Sequence, residues 1–174
     1  MPAYYFRRSF CSDEITKVKI TIAVCGFYEL FFNGAKITKG FLSPYISNPN
    51  HYVYYDEYEV ELKKGENVFG IWLGNGYQNN PGGHIWDFDK ADFRSAPMFA
   101  LTVAKDGQVL LFSDESFKIA PSPILSDDYR FGEHYVLTVS LTTGIKQALT
   151  IPAGKTLCVP AAELMRRLNR KKVR

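Results

Sequence analysis

Asn33-Gly34, set directly after the strand-like, aromatic-rich segment Phe27–Phe32, is the strongest short hairpin signal in this chain. A two-residue hairpin loop needs positive φ at both central positions, which Asn-Gly tolerates well. Other segments of strand character recur around it at short intervals. Tyr5–Phe10 comes first, and Val18–Val24 is β-branched and alternating. Val53–Leu62 sets Tyr54, Tyr58, Val60 and Leu62 at strand-like spacing. Val68–Leu73 is a continuous apolar run, expected to be a strand buried on both faces. Met98–Val103 and Val109–Phe112 flank Lys105-Asp106-Gly107, a second hairpin, and Ser116–Ala120 is a short strand before Pro121 and Pro123. About eight short strands with regular turn signals, and no convincing long helix, predict an all-β sandwich or jelly roll. Gly74–Pro97 is too long for a simple hairpin loop, and its Trp86, Phe88 and Phe93 suggest a loop packed by its own side chains.

The composition changes at Tyr135. All eleven Tyr, thirteen Phe and two Trp lie at or before that residue. Residues 1–135 hold 13 Lys+Arg against 17 Asp+Glu, whereas residues 136–174 hold 8 against 1. The net charge of +3 therefore joins a mildly acidic domain to a basic end, MRRLNRKKVR. Residues 4–135 read as one β-sandwich domain and 136–174 as a separate basic tail, expected to be disordered. Such a run is expected to be solvated rather than a nucleic-acid-binding element. No stretch is apolar enough over sufficient length to span a bilayer as a helix, and MPAYYFRRSF lacks the apolar run of a secretory signal, so no membrane partner and a cytoplasmic setting are expected. Cys11, Cys25 and Cys158 have no metal-like spacing, and Cys25 reads as a small core residue.

Four ordered pieces carry a family resemblance: GFYELFFNG (26–34), FLSPYISNPNHYVYYDEYEV (41–60), LKKGENVFGIWLGNGYQNN (62–80) and FRSAP (93–97). Together they resemble the N-terminal β-sandwich domain of bacterial α-L-rhamnosidases over about residues 5–135. The resemblance implies a jelly roll of the galactose-binding-domain type. It also implies an ancillary, non-catalytic domain that precedes an α-helical barrel carrying the catalytic carboxylates, a barrel these residues lack. The partners so implied are that catalytic barrel and a rhamnose-containing carbohydrate. An autonomous carbohydrate-binding module, or a structural domain with no ligand, are the alternatives. From Val136 the sequence departs from the family's pattern. Back-translated with chosen permitted codons and read in the neighbouring frame, Ser140–Lys155 spells FDDWNQAGFDDSGWK, similar to the family's linker, so a frame change just after Tyr135 is expected, with a natural variable tail as the alternative.

Asn48, Asn50, His51 and Tyr52 share one loop, and Asn75, Tyr77, Gln78, Asn79 and Asn80 share another. On a jelly roll the two could converge at one end. Sugar recognition needs flat aromatic faces together with amides and carboxylates, and Asn48, Asn50, Asn75, Tyr77 and Trp86 are candidate carbohydrate-binding residues. Turn geometry and loop packing explain the same residues equally well. Asp87, Asp89 and Asp92 form a D-x-D-x-x-D cluster, in which Asp87 and Asp89 are candidate calcium ligands. A solvated acidic turn is the alternative, and no other cofactor is expected. His51, His84 and His134 are scattered, and the carboxylates Glu29 and Glu133 form no pair that the sequence can place. Gly74-x-Gly76 is not a dinucleotide fingerprint, because no helix follows it.

Overall fold

A computed structural model of the chain describes residues 1–81, 87–128 and 130–136. Its strands are β1 (Tyr4–Ser12), β2 (Thr16–Cys25), β3 (Phe27–Phe32), β4 (Ala35–Lys36), β5 (Tyr55–Leu62) and β6 (Gly65–Gly74). They continue as β7 (Met98–Lys105), β8 (Gln108–Phe112), β9 (Lys118–Pro121), β10 (Ile124–Asp128) and β11 (Gly132–Tyr135). A five-stranded sheet runs β4-β3-β6-β1-β9, and a four-stranded sheet runs β5-β2-β7-β8. All pairings are antiparallel. The chain crosses repeatedly between the two sheets, β1 to β2, β2 to β3, β5 to β6 and β6 to β7, which is the winding of a jelly-roll sandwich. β10 and β11 form a separate hairpin.

Period-2 alternation places one row of each sheet in the interior. Phe6, Leu30, Phe32, Phe69, Ile71 and Leu73 from the five-stranded sheet meet Val18, Ile20, Ile22, Phe99, Leu101 and Val103 from the other. Each such side chain contributes roughly 1.5–3 kcal/mol by leaving water. The rings interlock: Phe6 meets Phe99 edge-on at 5.0 Å, and Phe10 stacks on Phe69 at 5.6 Å. Tyr28 and Leu30 are buried as well, and Tyr58 and Val60 pack against this core half-buried. At the β3–β5 side, Tyr28 Oη donates to Asp56 Oδ2 at 2.6 Å and lies 2.9 Å from Tyr58 Oη. Burial first, then the hydrogen bonds to Asp56 and Tyr58, hold the Tyr28 hydroxyl protonated far above its usual range.

The Asn-Gly turn forms as the sequence requires. Asn33 and Gly34 have φ of 48° and 86°, and Phe32 pairs with Ala35 across them. Asn33 does more than turn the chain. Its Oδ1 accepts from the Val68 backbone at 2.9 Å, and its Nδ2 donates to Asn67 Oδ1 at 3.1 Å. Asn67 is fully buried; it accepts from Lys63 N and donates to the carbonyls of Lys63 and Gly65. One buried amide thus joins the hairpin tip to the corner where the chain passes from β5 to β6.

Three local expectations are corrected. Val68–Leu73 is buried on one face only: Phe69, Ile71 and Leu73 are buried while Val68, Gly70 and Trp72 are half-buried, because the outward side of this sheet is left open to a cleft. Tyr54 lies outside the strand, which starts at Tyr55, and is 45% exposed. The last part of the domain holds a hairpin, β10–β11, that strand patterning alone does not reveal, since Leu125 and Ser126 both face solvent and mask the alternation. Gly74–Pro97 carries no strand among its described residues beyond the end of β6 and has one 3-10 turn at Phe88–Lys90. Cys25 is buried, as expected. No helix among the described residues is long and apolar enough to cross a membrane. The expected tail, 136–174, lies outside the described residues apart from Val136, whose N–H donates to the Pro123 carbonyl at 2.9 Å.

Ile71→Ala removes a fully buried side chain and should cost about 2–5 kcal/mol in urea or thermal unfolding. Asn67→Ala should cost about 1–3 kcal/mol, because it removes a fully buried amide that accepts from Lys63 N–H and Asn33 Nδ2 and donates to the Lys63 and Gly65 carbonyls. A near-zero cost for either would show that the corresponding contact does not support the fold.

Candidate functional site

The two polar loops singled out in the sequence do come together. Pro44–Ser47 and Pro49 from the first, and Tyr77 and Gln78 from the second, line one crevice with Val24–Gly26. The crevice has a volume of only about 10 Å³, the room of a single water. The amides around it serve the fold. Asn48 Oδ1 accepts from the Asn50 backbone at 2.9 Å, and the Asn48 carbonyl accepts from His51 and Tyr52. Asn50 itself is exposed. Tyr77 is half-buried between Phe27 at 5.1 Å and Phe88 at 5.7 Å. Gln78 is buried, and its Nε2 donates to the Phe93 carbonyl at 2.5 Å and to Ser95 Oγ at 2.8 Å, which pins the far end of the long loop. Trp86 lies outside the described residues.

Asn75, a candidate carbohydrate-binding residue, is engaged within the domain. It is 2% exposed. Its backbone N–H donates to Asp127 Oδ2 at 2.6 Å, and its Nδ2 donates to the Met1 carbonyl at 2.6 Å and to Asp127 Oδ1. Its Oδ1 accepts from Asn79 Nδ2 at 2.9 Å. Every polar group of that side chain is used inside the domain. Gly74 lets the clamp close, since a Cβ there would stand 2.7 Å from Asp127 Oδ2.

The acidic cluster also divides. Asp87 is exposed and ion-paired with Lys90 at 3.2 Å, and Asp92 is exposed. Asp89 is half-buried, and its carbonyl accepts from Arg94. Among the described residues, no group of three His, Cys, Asp or Glu side chains is arranged to hold a metal. The D-x-D-x-x-D spacing therefore does not gather its carboxylates around one point. The 3-10 turn at Phe88–Lys90 and the Asp87–Lys90 pair use the same residues locally.

A roomier concave feature lies elsewhere. A cleft of about 290 Å³ opens on the outer face of the five-stranded sheet. Its floor includes Trp72, Glu29 and Phe27; Ile124, Asp127 and Glu133 of the β10–β11 hairpin form one wall, and Gly40–Ser43 form another. Register explains the floor. Trp72 on β6 pairs with Tyr5 on β1 and with Glu29 on β3, so the three side chains form one cross-strand row. Asp127 faces Glu133 across the hairpin. Among the described residues Tyr5 Oη and Trp72 Nε1 are buried without a hydrogen-bond partner, and their rings lie 5.1 Å apart. Burial, followed by Tyr135 and Glu29, pushes the Tyr5 hydroxyl up to about 12. Burial, followed by the charges of Asp127 and Glu29, raises the Glu133 carboxyl above its ordinary value.

The three carboxylates are not equivalent. Glu29 is ion-paired with Lys36, and both oxygens of Asp127 accept from Asn75. Only Glu133 has no hydrogen bond or ion pair among the described residues. That leaves one free acid rather than the acid–base pair a glycosidase needs. Glu29 and Glu133 meet only through the β10–β11 hairpin, which strand patterning does not reveal.

A carboxyl whose folded pKa is raised favours the protonated form in the folded state, so stability falls as pH climbs through and above the ordinary glutamate value. Glu133→Gln should therefore raise the melting temperature at pH 7 relative to the parent and have little effect near pH 3. Melting curves at the two pH values check this; a lower melting temperature at pH 7 would mean Glu133 has a favourable partner.

The family model described as "Alpha-L-rhamnosidase N-terminal domain" matches residues 13–147, running past the Tyr135 boundary that the motifs suggest. An alpha-L-rhamnosidase of Formosa agariphila is 34% identical over 145 residues, which cover 76% of this chain and 15% of that protein. The crystal structure of native alpha-L-rhamnosidase from Aspergillus terreus superposes with a TM-score of 0.63 at 27% identity, over 77% of this chain and 16% of that one. The alpha-L-rhamnosidase from Dictyoglumus thermophilum gives 0.61 at 31% identity, over 77% and 15%. The chain thus spans about 15% of the length of the curated relative it matches, and the rest of that enzyme has no counterpart in these 174 residues. The match, the sandwich and its motifs agree: the chain belongs to the alpha-L-rhamnosidase N-terminal domain family.

Proposed function

We propose that this domain is an ancillary, non-catalytic part of an α-L-rhamnosidase, which supports the enzyme's catalytic barrel by packing against it. The observation that carries this reading is the loop between β4 and β5. Phe41 is 87% exposed and Tyr45 86%; Leu42, Ile46, Tyr52, Tyr54 and Tyr55 are exposed beside them in sequence. Tyr45 and Tyr52 both pack edge-on against Tyr54, so the rings form a cluster rather than scattered residues. Clustered exposed aromatics mark surfaces that another protein covers. The loop is also anchored: the Tyr28 N–H donates to the Ser43 carbonyl at 3.0 Å, so Phe41–Tyr45 project from a fixed base. Asn75, one of the candidate sugar-binding amides, is used internally, which favours docking over autonomous sugar binding.

A chimera tests this. In the Formosa agariphila enzyme the matched segment is replaced by residues 1–136 of this chain, and p-nitrophenyl α-L-rhamnoside hydrolysis and melting temperature are measured. Phe41→Ser with Tyr45→Ser should lower both in the chimera while leaving the melting temperature of the 174-residue chain within a degree or two. The 174-residue chain alone should hydrolyse nothing and give no NMR shift changes with L-rhamnose, with or without calcium. An unaffected chimera would remove the docking reading, and a calcium-dependent rhamnose response would favour the carbohydrate-binding alternative.

A further inference from the structure

We infer that the cleft between the outer face of the five-stranded sheet and the β10–β11 hairpin is a socket for a basic side chain, an arginine guanidinium, presented by the protein surface on which this domain docks. The inference rests on the docking reading and adds a polar anchor to it.

Three properties select that occupant. The first is charge. Glu29, Asp127 and Glu133 line the cleft, and among the described residues the one cation paired to them is Lys36, on Glu29. Asp127 takes neutral amide donors only, and Glu133 takes none among the described residues. Two negative charges therefore stand uncompensated around one concavity. A neutral ligand such as a sugar ring would leave their repulsion in place, whereas a cation relieves it. The second is shape and surface. The Trp72 indole forms part of the floor, and an aromatic face next to carboxylates suits a planar guanidinium, which stacks and donates in one plane. A volume of about 290 Å³ has room for the head group and its methylene stem. The third is the rim. Phe41 and Leu42 line the cleft and belong to the aromatic loop of the docking surface, so socket and apolar patch are continuous. A desolvated arginine ringed by apolar contacts is a common energetic centre of protein interfaces. A divalent ion fits less well, since no metal-holding group of three ligands exists among the described residues.

The test is an NMR titration of the 174-residue chain, reading the Trp72 indole N–H and the amides of Glu29, Gly74, Asp127 and Glu133. The probes are N-acetyl-arginine amide, its neutral citrulline counterpart, L-rhamnose and calcium chloride, all at constant ionic strength. The arginine derivative should shift these signals with saturation in roughly the millimolar range, as one anchoring side chain allows. The citrulline counterpart should not. Glu133→Gln should weaken the arginine response roughly tenfold, the order expected from losing one charge partner at an interface. No saturable response to the arginine derivative, an equal response to citrulline, or a response that Glu133→Gln leaves intact each overturns the proposal. A response confined to rhamnose or to calcium overturns it too, and reassigns the cleft to a sugar or a metal. The Phe41/Tyr45 chimera reports separately on docking. If it is sensitive while the titration fails, the surface docks but the socket does not hold a cation.

Discussion

The Asn75–Asp127 clamp is the contact on which the functional face depends. It binds the end of β6 to the β10–β11 hairpin through both a backbone N–H and a side-chain amide, and the same amide reaches the Met1 carbonyl. Three distant parts of the chain therefore meet at one residue. Gly74 permits it by having no side chain where Asp127 arrives. Beside the clamp, the hairpin is held near the sheet by backbone links of Ala3 to Ile124 and Ser122 and by the Asn80–Asp128 hydrogen bond. With the clamp, Asp127 and Glu133 stand over Trp72 and the cleft acquires a wall.

The same economy runs through the other polar residues. Asn67, Asn33 and Gln78 are polar side chains used by the fold. In the fold each holds a corner: Asn67 and Asn33 join the hairpin tip to the β5–β6 turn, and Gln78 fastens the long loop at Phe93 and Ser95. A buried amide left unpaired is costly, so Asn67 and Gln78 are fixed by their partners, and Asn33 is held by its bonds to Asn67 and Val68. What remains for recognition is what the interior does not use: the aromatic loop from Phe41 to Tyr55 and the acidic cleft beside it.

This division changes how the family membership is read. A domain that spent its polar loops on sugar would present amides and ring faces around a shared concavity. Here the crevice between the two polar loops is nearly closed, and the open concavity is acidic and apolar-rimmed. One of its rims carries the exposed Phe41 and Leu42, and the other carries Asp127 and Glu133 of the β10–β11 hairpin.

The sequence by itself determined the sandwich. Alternating strands, the Asn33-Gly34 turn and the Lys105-Asp106-Gly107 turn are local signals, set by the φ a residue tolerates and by the side to which its neighbours point. The ordered motifs likewise carried the family, because they mark corners that this fold must turn. Tertiary structure alone decided which polar residues are free. Asn75 looks like a ligand residue until Asp127, 52 positions later, takes its donors. Glu29 and Glu133 look unrelated until strand register and the hairpin set both around Trp72. Nothing local in the sequence encodes such meetings, because hydrogen-bond satisfaction and charge compensation depend on which distant segments pack together.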